Sequence, residues 1–231
     1  GVPPEPYDPQ REDAQRRSVP RDDELDHVVR NLFDVELEDG TVLEESASIL
    51  GGETLELADV TTGDETFCVG LSICYDLRFP EFYRELRAKG AHVLTVPAAF
   101  TMQTGREHWH ALLRARAIEN QCFVVLSGNV GNLPNVANMD IQYAQSCILT
   151  PCDFPFARDG IAAEASENVE TLTISDINLA DLSWARAEGT VRNLADRRFD
   201  LYRIEWDEDG KHPGKPRPRR EPLGPAHPGG G

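Results

Sequence analysis

Between residues 67 and 188 the chain alternates short apolar runs with segments of helical period. The runs Phe67–Ile73, 92–97, 122–128, 143–150 and 170–177 are of strand length, rich in Val, Ile, Leu, Phe and Thr, and bounded by polar or Gly/Pro turns. Between them, 80–89, 105–120 and 178–188 repeat apolar residues on one face. Proline at 80 with Glu81 beside it marks a helix start, and Trp109, Leu112, Leu113 and Ile118 form the apolar face of the second helix. Strands alternating with helices predict an α/β fold with helices layered on a sheet. No internal repeat is visible. Residues 1–26 are polar, with prolines at 3, 4, 6, 9 and 20, and the chain from Asp207 onward is again rich in Pro, Gly and Arg. Both are expected to be disordered or poorly packed tails, 1–26 and 207–231, around a folded body at 27–206.

This pattern delivers one residue to a special place. Cys74 follows the first apolar run and precedes the helix at Pro80, so it is expected at the carboxyl end of a strand, facing a helix amino terminus. Exposed backbone N–H groups there favour negative charge, which lowers a thiol pKa and stabilises an oxyanion on a substrate carbonyl. The competing reading is a small buried hydrophobe closing the strand. A nucleophilic thiol also needs a base. Glu45, in Leu43-Glu-Glu-Ser46, and His108, in Thr104-Gly-Arg-Glu-His-Trp109, are the candidates, with His108 as a plain helix residue packed beside Trp109 the alternative. Asp76 reads as a helix-entry cap and Asp159, before Gly160, as a turn residue.

Composition narrows the partners. The 40 acidic residues outnumber 23 basic ones, for a net charge of −17. Lys89, Lys211 and Lys215 are the only lysines. Such a surface disfavours nucleic acid and anionic membranes and resembles that of proteins from salt-loving microbes. The basic run Arg217-Pro-Arg-Arg220 reads as part of a solvated tail or as a contact for an acidic partner. No apolar stretch approaches the ~20 residues needed to span a bilayer. The five cysteines, 68, 74, 122, 147 and 152, form no C-x-x-C pair and no His/Cys cluster at metal spacing, and no Gly-rich phosphate loop occurs. A reduced, cytoplasmic protein without metal or cofactor is the expectation. The chain begins with Gly1, as a processed terminus, a cloning scar or a fragment edge would.

Four segments, Ile73-Cys-Tyr-Asp-Leu-Arg-Phe-Pro-Glu81, Pro97-Ala-Ala-Phe-Thr101, Thr104-Gly-Arg-Glu-His-Trp109 and Leu113-Arg-Ala-Arg-Ala-Ile-Glu-Asn120, together resemble the nitrilase or carbon-nitrogen hydrolase superfamily. The resemblance runs from about Leu32 to Tyr202. It implies an α-β-β-α sandwich, usually a homodimer, that hydrolyses small linear amides or nitriles through a cysteine thioester. Cys74 matches the nucleophile, Tyr75 the backbone N–H that helps hold the oxyanion, and Glu45 the second glutamate. Ala99, Phe100 and His108 fall in the substrate pocket.

The same resemblance exposes departures. Val29-Arg-Asn-Leu-Phe-Asp34 places Val29 where ω-amidase-like members carry the catalytic lysine, and no lysine precedes Cys74. Arg30 is adjacent but is not interchangeable with an ammonium. The family's first glutamate lies on an early strand that none of the 28 residues before Val29 resembles. The fold is therefore expected to lack its first strands and helices. A further oddity is that Gly128–Gly160 looks like a branch often fused to an acetyltransferase domain, whereas Cys74–Val125 is ω-amidase-like. Three functions follow: an impaired amidohydrolase of this family; a truncated, non-catalytic homologue serving as a binding or assembly partner; and, more remotely, a Cys–His hydrolase using Cys74 and His108.

Overall fold

In the computed structural model, residues 31–36, 40, 42–45, 51–52, 54–131 and 142–202 are described. The two proposed tails, Val29, Arg30 and Ser46 lie outside them. A small antiparallel hairpin, β1 (Asp34–Glu36) with β2 (Val42–Glu44), leads to the main sheet. That sheet is built from β3 (Leu57–Thr62), β4 (Glu65–Leu71), β5 (Val93–Ala98), β7 (Phe123–Gly128), β9 (Cys147–Leu149) and β10 (Ile161–Glu164). Two further short strands, β6 (Phe100–Thr101) and β8 (Gln142–Tyr143), pair with each other. The helices are α1 (Pro80–Ala88), α2 (Met102–Asn120) and α3 (Leu179–Glu188).

The six strands lie in the order β10-β9-β7-β5-β4-β3. The central β4, β5 and β7 run parallel, because α1 and α2 each return the chain to the same end of the sheet; the outer pairs are antiparallel. Both helices pack on one face. Leu86 and Tyr83 of α1 and Trp109, Leu113 and Ala117 of α2 bury against Leu94, Val96, Val124 and Leu149 of the strands. On the opposite face α3 covers one region, where Leu182 meets Val69, Val93 and Phe123, while Phe67, Leu71 and Val125 on the same face are only half-buried.

Several expectations need correction. The run at 170–177 forms no strand among the described residues: it is extended, with Leu172 at 82 % and Ile174 at 75 % exposure and no neighbouring strand to complete its hydrogen bonds. Alternation predicts a face, but a strand exists only where a second backbone lies beside it. The run at 143–150 is broken in two. Ala144 donates its N–H to Asn168 Oδ1, and Ser146 Oγ accepts from Gly128 N, so the backbone leaves β8 and re-enters the sheet as β9. The second helix opens at Met102, three residues before Gly105. Gly105 is inside it because a Cβ there would sit 2.7 Å from Tyr143 Cβ. Edge strand β3 and strand β10 have too few apolar residues to announce themselves.

Gly105→Ala therefore separates local propensity from packing. Propensity alone gives Ala an advantage of about 1 kcal/mol in a helix. The clash with Tyr143 instead predicts a net loss of about 1–3 kcal/mol, read by chemical denaturation.

Candidate functional site

The carboxyl ends of three parallel strands converge, the position where open α/β sheets bind ligands. The chain leaves β4 through Ser72 and Ile73 and enters a 3-10 turn, Cys74–Arg78, before α1. Ser72 anchors this exit. Its hydroxyl donates to the Thr95 carbonyl at 2.6 Å, so the Tyr83 hydroxyl, 2.7 Å away, is the donor to Ser72. Burial pushes the Tyr83 phenol well above its ordinary range and keeps that proton in place. From α2, buried Arg116 donates through Nε and Nη2 to the Leu77 carbonyl at 3.1 and 2.7 Å, with its guanidinium over the Tyr83 ring.

Asp76 closes the turn from inside. It is fully buried, and its Oδ2 accepts from Ile73 N at 3.0 Å, as expected of a cap. Its Oδ1 reaches further, accepting from Asn31 N at 2.9 Å and Asn31 Nδ2 at 2.8 Å. The segment before β1 is thereby tied to the cysteine turn. Two residues on, Phe33 packs its ring edge-on to Tyr75 at 5.2 Å and donates its N–H to Glu45 Oε2 at 2.8 Å. Glu45, just after β2, is thus delivered to the same place by a hairpin with no counterpart in the sequence reading.

Cys74 has φ +46°, a left-handed backbone that costs a non-glycine residue about 1–2 kcal/mol. The turn on both sides holds it there, and its thiol lies 3.5 Å from the Ala99 carbonyl, just beyond β5. The first N–H groups of such a turn have no partner within it, and Tyr75 contributes one of them. The expectation of a depressed thiol pKa is not met. Burial raises it most, Glu45 and Asp76 add to the rise, and the Ala99 backbone and Arg78 oppose it. The turn's dipole is short, whereas two carboxylates lie close.

Phe100 is buried against Trp109, with ring centroids 4.8 Å apart. His108 is exposed on α2 and forms no hydrogen bond to Cys74 among the described residues; its Nδ1 lies 3.0 Å from Arg78 Nη1. The Arg78 guanidinium is 5.9 Å from the Tyr75 ring centroid and 5.8 Å from that of Phe100. Cys74, Tyr75, Ala99, Phe100 and Glu45 therefore gather in one place, and among the described residues His108 joins them through Arg78. Sequence reasoning missed Arg78, Asn31 and Arg116. Arg78 follows Cys74 by one turn and was visible in the same motif; the other two act through backbone carbonyl or carboxylate partners that no local pattern reveals. All five cysteines are free thiols. Among the described residues no group of three or more His, Cys, Asp or Glu side chains is placed to hold a metal, and no helix is long and apolar enough to cross a membrane.

With this geometry in hand, comparison with known proteins is direct. The family model described as carbon-nitrogen hydrolase matches residues 22–187. The probable hydrolase YhcX of Bacillus subtilis is 44 % identical over 158 residues, which are 68 % of this chain and 30 % of that protein. Deaminated glutathione amidase of Synechocystis is 50 % identical over 101 residues, 44 % of this chain and 36 % of its own length. In the crystal structure of the Caenorhabditis elegans NitFhit protein, the matching region is 36 % identical with a TM-score of 0.62, covering 75 % of this chain and 39 % of that one. The chain spans about a third of the length of these relatives. A mixed α/β sheet with the nitrilase fold, carrying a cysteine turn at the mouth of its parallel strands, makes this chain a member of the carbon-nitrogen hydrolase family.

Proposed function

We propose that this chain forms a cysteine-dependent centre acting on small linear amides or nitriles, with turnover impaired by its own sequence. The observation that carries this reading is Cys74, held in a strained left-handed backbone at the end of β4 beside Ala99 and within electrostatic reach of Glu45. The likeness to an amidase supports amides as the substrate class. Cys74 Sγ attacks the amide carbon while its proton passes to Glu45. The tetrahedral oxyanion is met by the Tyr75 backbone N–H. The C–N bond then breaks, the proton leaves with ammonia, and water attacks the thioester to release the acid and restore the thiol. Phe100 and Ala99 shape the pocket. Val29, where the family lysine is expected, supplies no ammonium, and loss of one such donor typically costs ~10²–10³ in rate.

Ammonia release from a panel of short amides tests this. Slow release is expected, lost in Cys74→Ala and reduced ~10²–10⁴-fold in Glu45→Gln, with an acyl group on Cys74 detectable by peptide mass. Release that survives Cys74→Ala would overturn the proposal. The resting thiol has its own signature. Since burial and two carboxylates all favour the neutral form, iodoacetamide labelling of Cys74 should have its midpoint above the free-thiol value of ~8.5. Glu45→Gln should move that midpoint down, because a negative charge is removed; an upward move would contradict the assignment.

A second reading, a non-catalytic module that assembles with another copy of itself, is supported by a sheet face that the described residues cover incompletely and by exposed Leu172, Ile174, Phe154 and Trp184. Sedimentation velocity should then show a homodimer that Leu172→Asp with Ile174→Asp converts to monomer. A wild-type monomer that binds no apolar dye would contradict it.

A further inference from the structure

The charges acting on Cys74 are unequal. Glu45 and Asp76 raise the thiol pKa, and among the described residues Arg78 is the cation that lowers it. In a site whose expected lysine position is Val29, the placement of Arg78 matters. Its guanidinium is four rotatable bonds from the backbone, half-exposed, and makes no ion pair with a carboxylate among the described residues. Among the described residues three contacts fix it: the faces of Tyr75 and Phe100, and a hydrogen bond to His108. An arginine has only donors, so His108 Nδ1 must accept with a lone pair, and the ring proton resides on Nε2. The ring contacts restrict the guanidinium to a slot; the imidazole sets its position and rotation within it.

We propose that His108 is a positioning residue: it neither takes a proton from Cys74 nor touches the reacting atoms, but holds the Arg78 guanidinium over the Tyr75 and Phe100 rings at the other end of the cysteine turn, where its charge favours anionic electrophiles. This deepens the preceding proposal, resting on Cys74 as the nucleophile. It also accounts for a histidine that faces solvent on α2 and yet belongs to the site. Nothing in a purely structural role for an exposed helix residue requires its acceptor nitrogen to point at Arg78.

The experiment uses the full chain and two reagents of like size, iodoacetate (anionic) and iodoacetamide (neutral), measuring the rate at which each labels Cys74. The ratio of the two rates reports the local charge independently of any substrate. In the wild type that ratio is expected to exceed the ratio for the same protein with Arg78→Met. His108→Ala should lower it about three- to fivefold, the share of one net hydrogen bond, and His108→Asn, whose Oδ1 can stand where Nδ1 was, should restore it. In the Arg78→Met background His108→Ala should change nothing further. A ratio unmoved by His108→Ala, or lowered equally with Arg78 absent, overturns the inference. If Cys74 resists both reagents in the folded protein, the nucleophile reading fails, and NMR of the Arg78 side chain decides the remainder. Hindered rotation of the guanidinium in the wild type, freed in His108→Ala, upholds the positioning role; equal rotation in both overturns it.

Discussion

The buried Asp76 carboxylate is the constraint on which the site depends. A fully buried acid is costly unless its oxygens are satisfied, and three N–H donors do so: one from Ile73 at the mouth of the turn and two from Asn31, 45 residues earlier in the chain. One side chain therefore both shapes the turn that strains Cys74 and fastens the segment that leads to Glu45. Phe33 continues the linkage, its backbone on Glu45 and its ring on Tyr75. Without Asp76, a two-strand hairpin of three residues a side has little of its own to hold it.

Around that tie, the sheet and α2 form a rigid floor. Arg116 reaches from α2 to the Leu77 carbonyl, and Ser72 bridges Thr95 and Tyr83, so the cysteine turn is anchored to two helices and a neighbouring strand. These bonds oppose the local backbone cost at Cys74. The electrostatics pull the other way from catalysis by a preformed thiolate. Burial and two carboxylates favour the protonated thiol, and among the described residues the cation acting against them is an arginine held through an exposed histidine. Such a site is competent for attack only when a base takes the proton during the step, the role proposed for Glu45.

How much of this was legible in the sequence follows from what each feature depends on. Strands β4, β5 and β7 and all three helices lie within a few residues of their expected places, because buried parallel strands and amphipathic helices carry their own patterns. Cys74 was legible from the strand-to-helix junction, and Asp76 as a cap from its spacing. The long-range half of Asp76's role was not, since Asn31 is an ordinary polar residue until the fold brings it there. The direction of the thiol shift was misjudged for a similar reason: the helix-terminus argument is local, whereas Glu45 arrives from a separate hairpin. At 170–177 the pattern was real and the strand absent, because Leu172 and Ile174 have no paired neighbour among the described residues.

The claim that Asp76 joins the Glu45 hairpin to the cysteine turn is tested most directly by hydrogen–deuterium exchange in Asp76→Asn. An asparagine presents an NH2 group where one carboxylate oxygen accepted, so at least one of the three bonds must fail. The account predicts that the amides of Asn31, Phe33 and Glu45 lose protection together with that of Ile73, while β5 and β7 keep theirs. Faster exchange at Ile73 alone, with residues 31–45 unchanged, would mean that the hairpin is held by other contacts and would contradict the account.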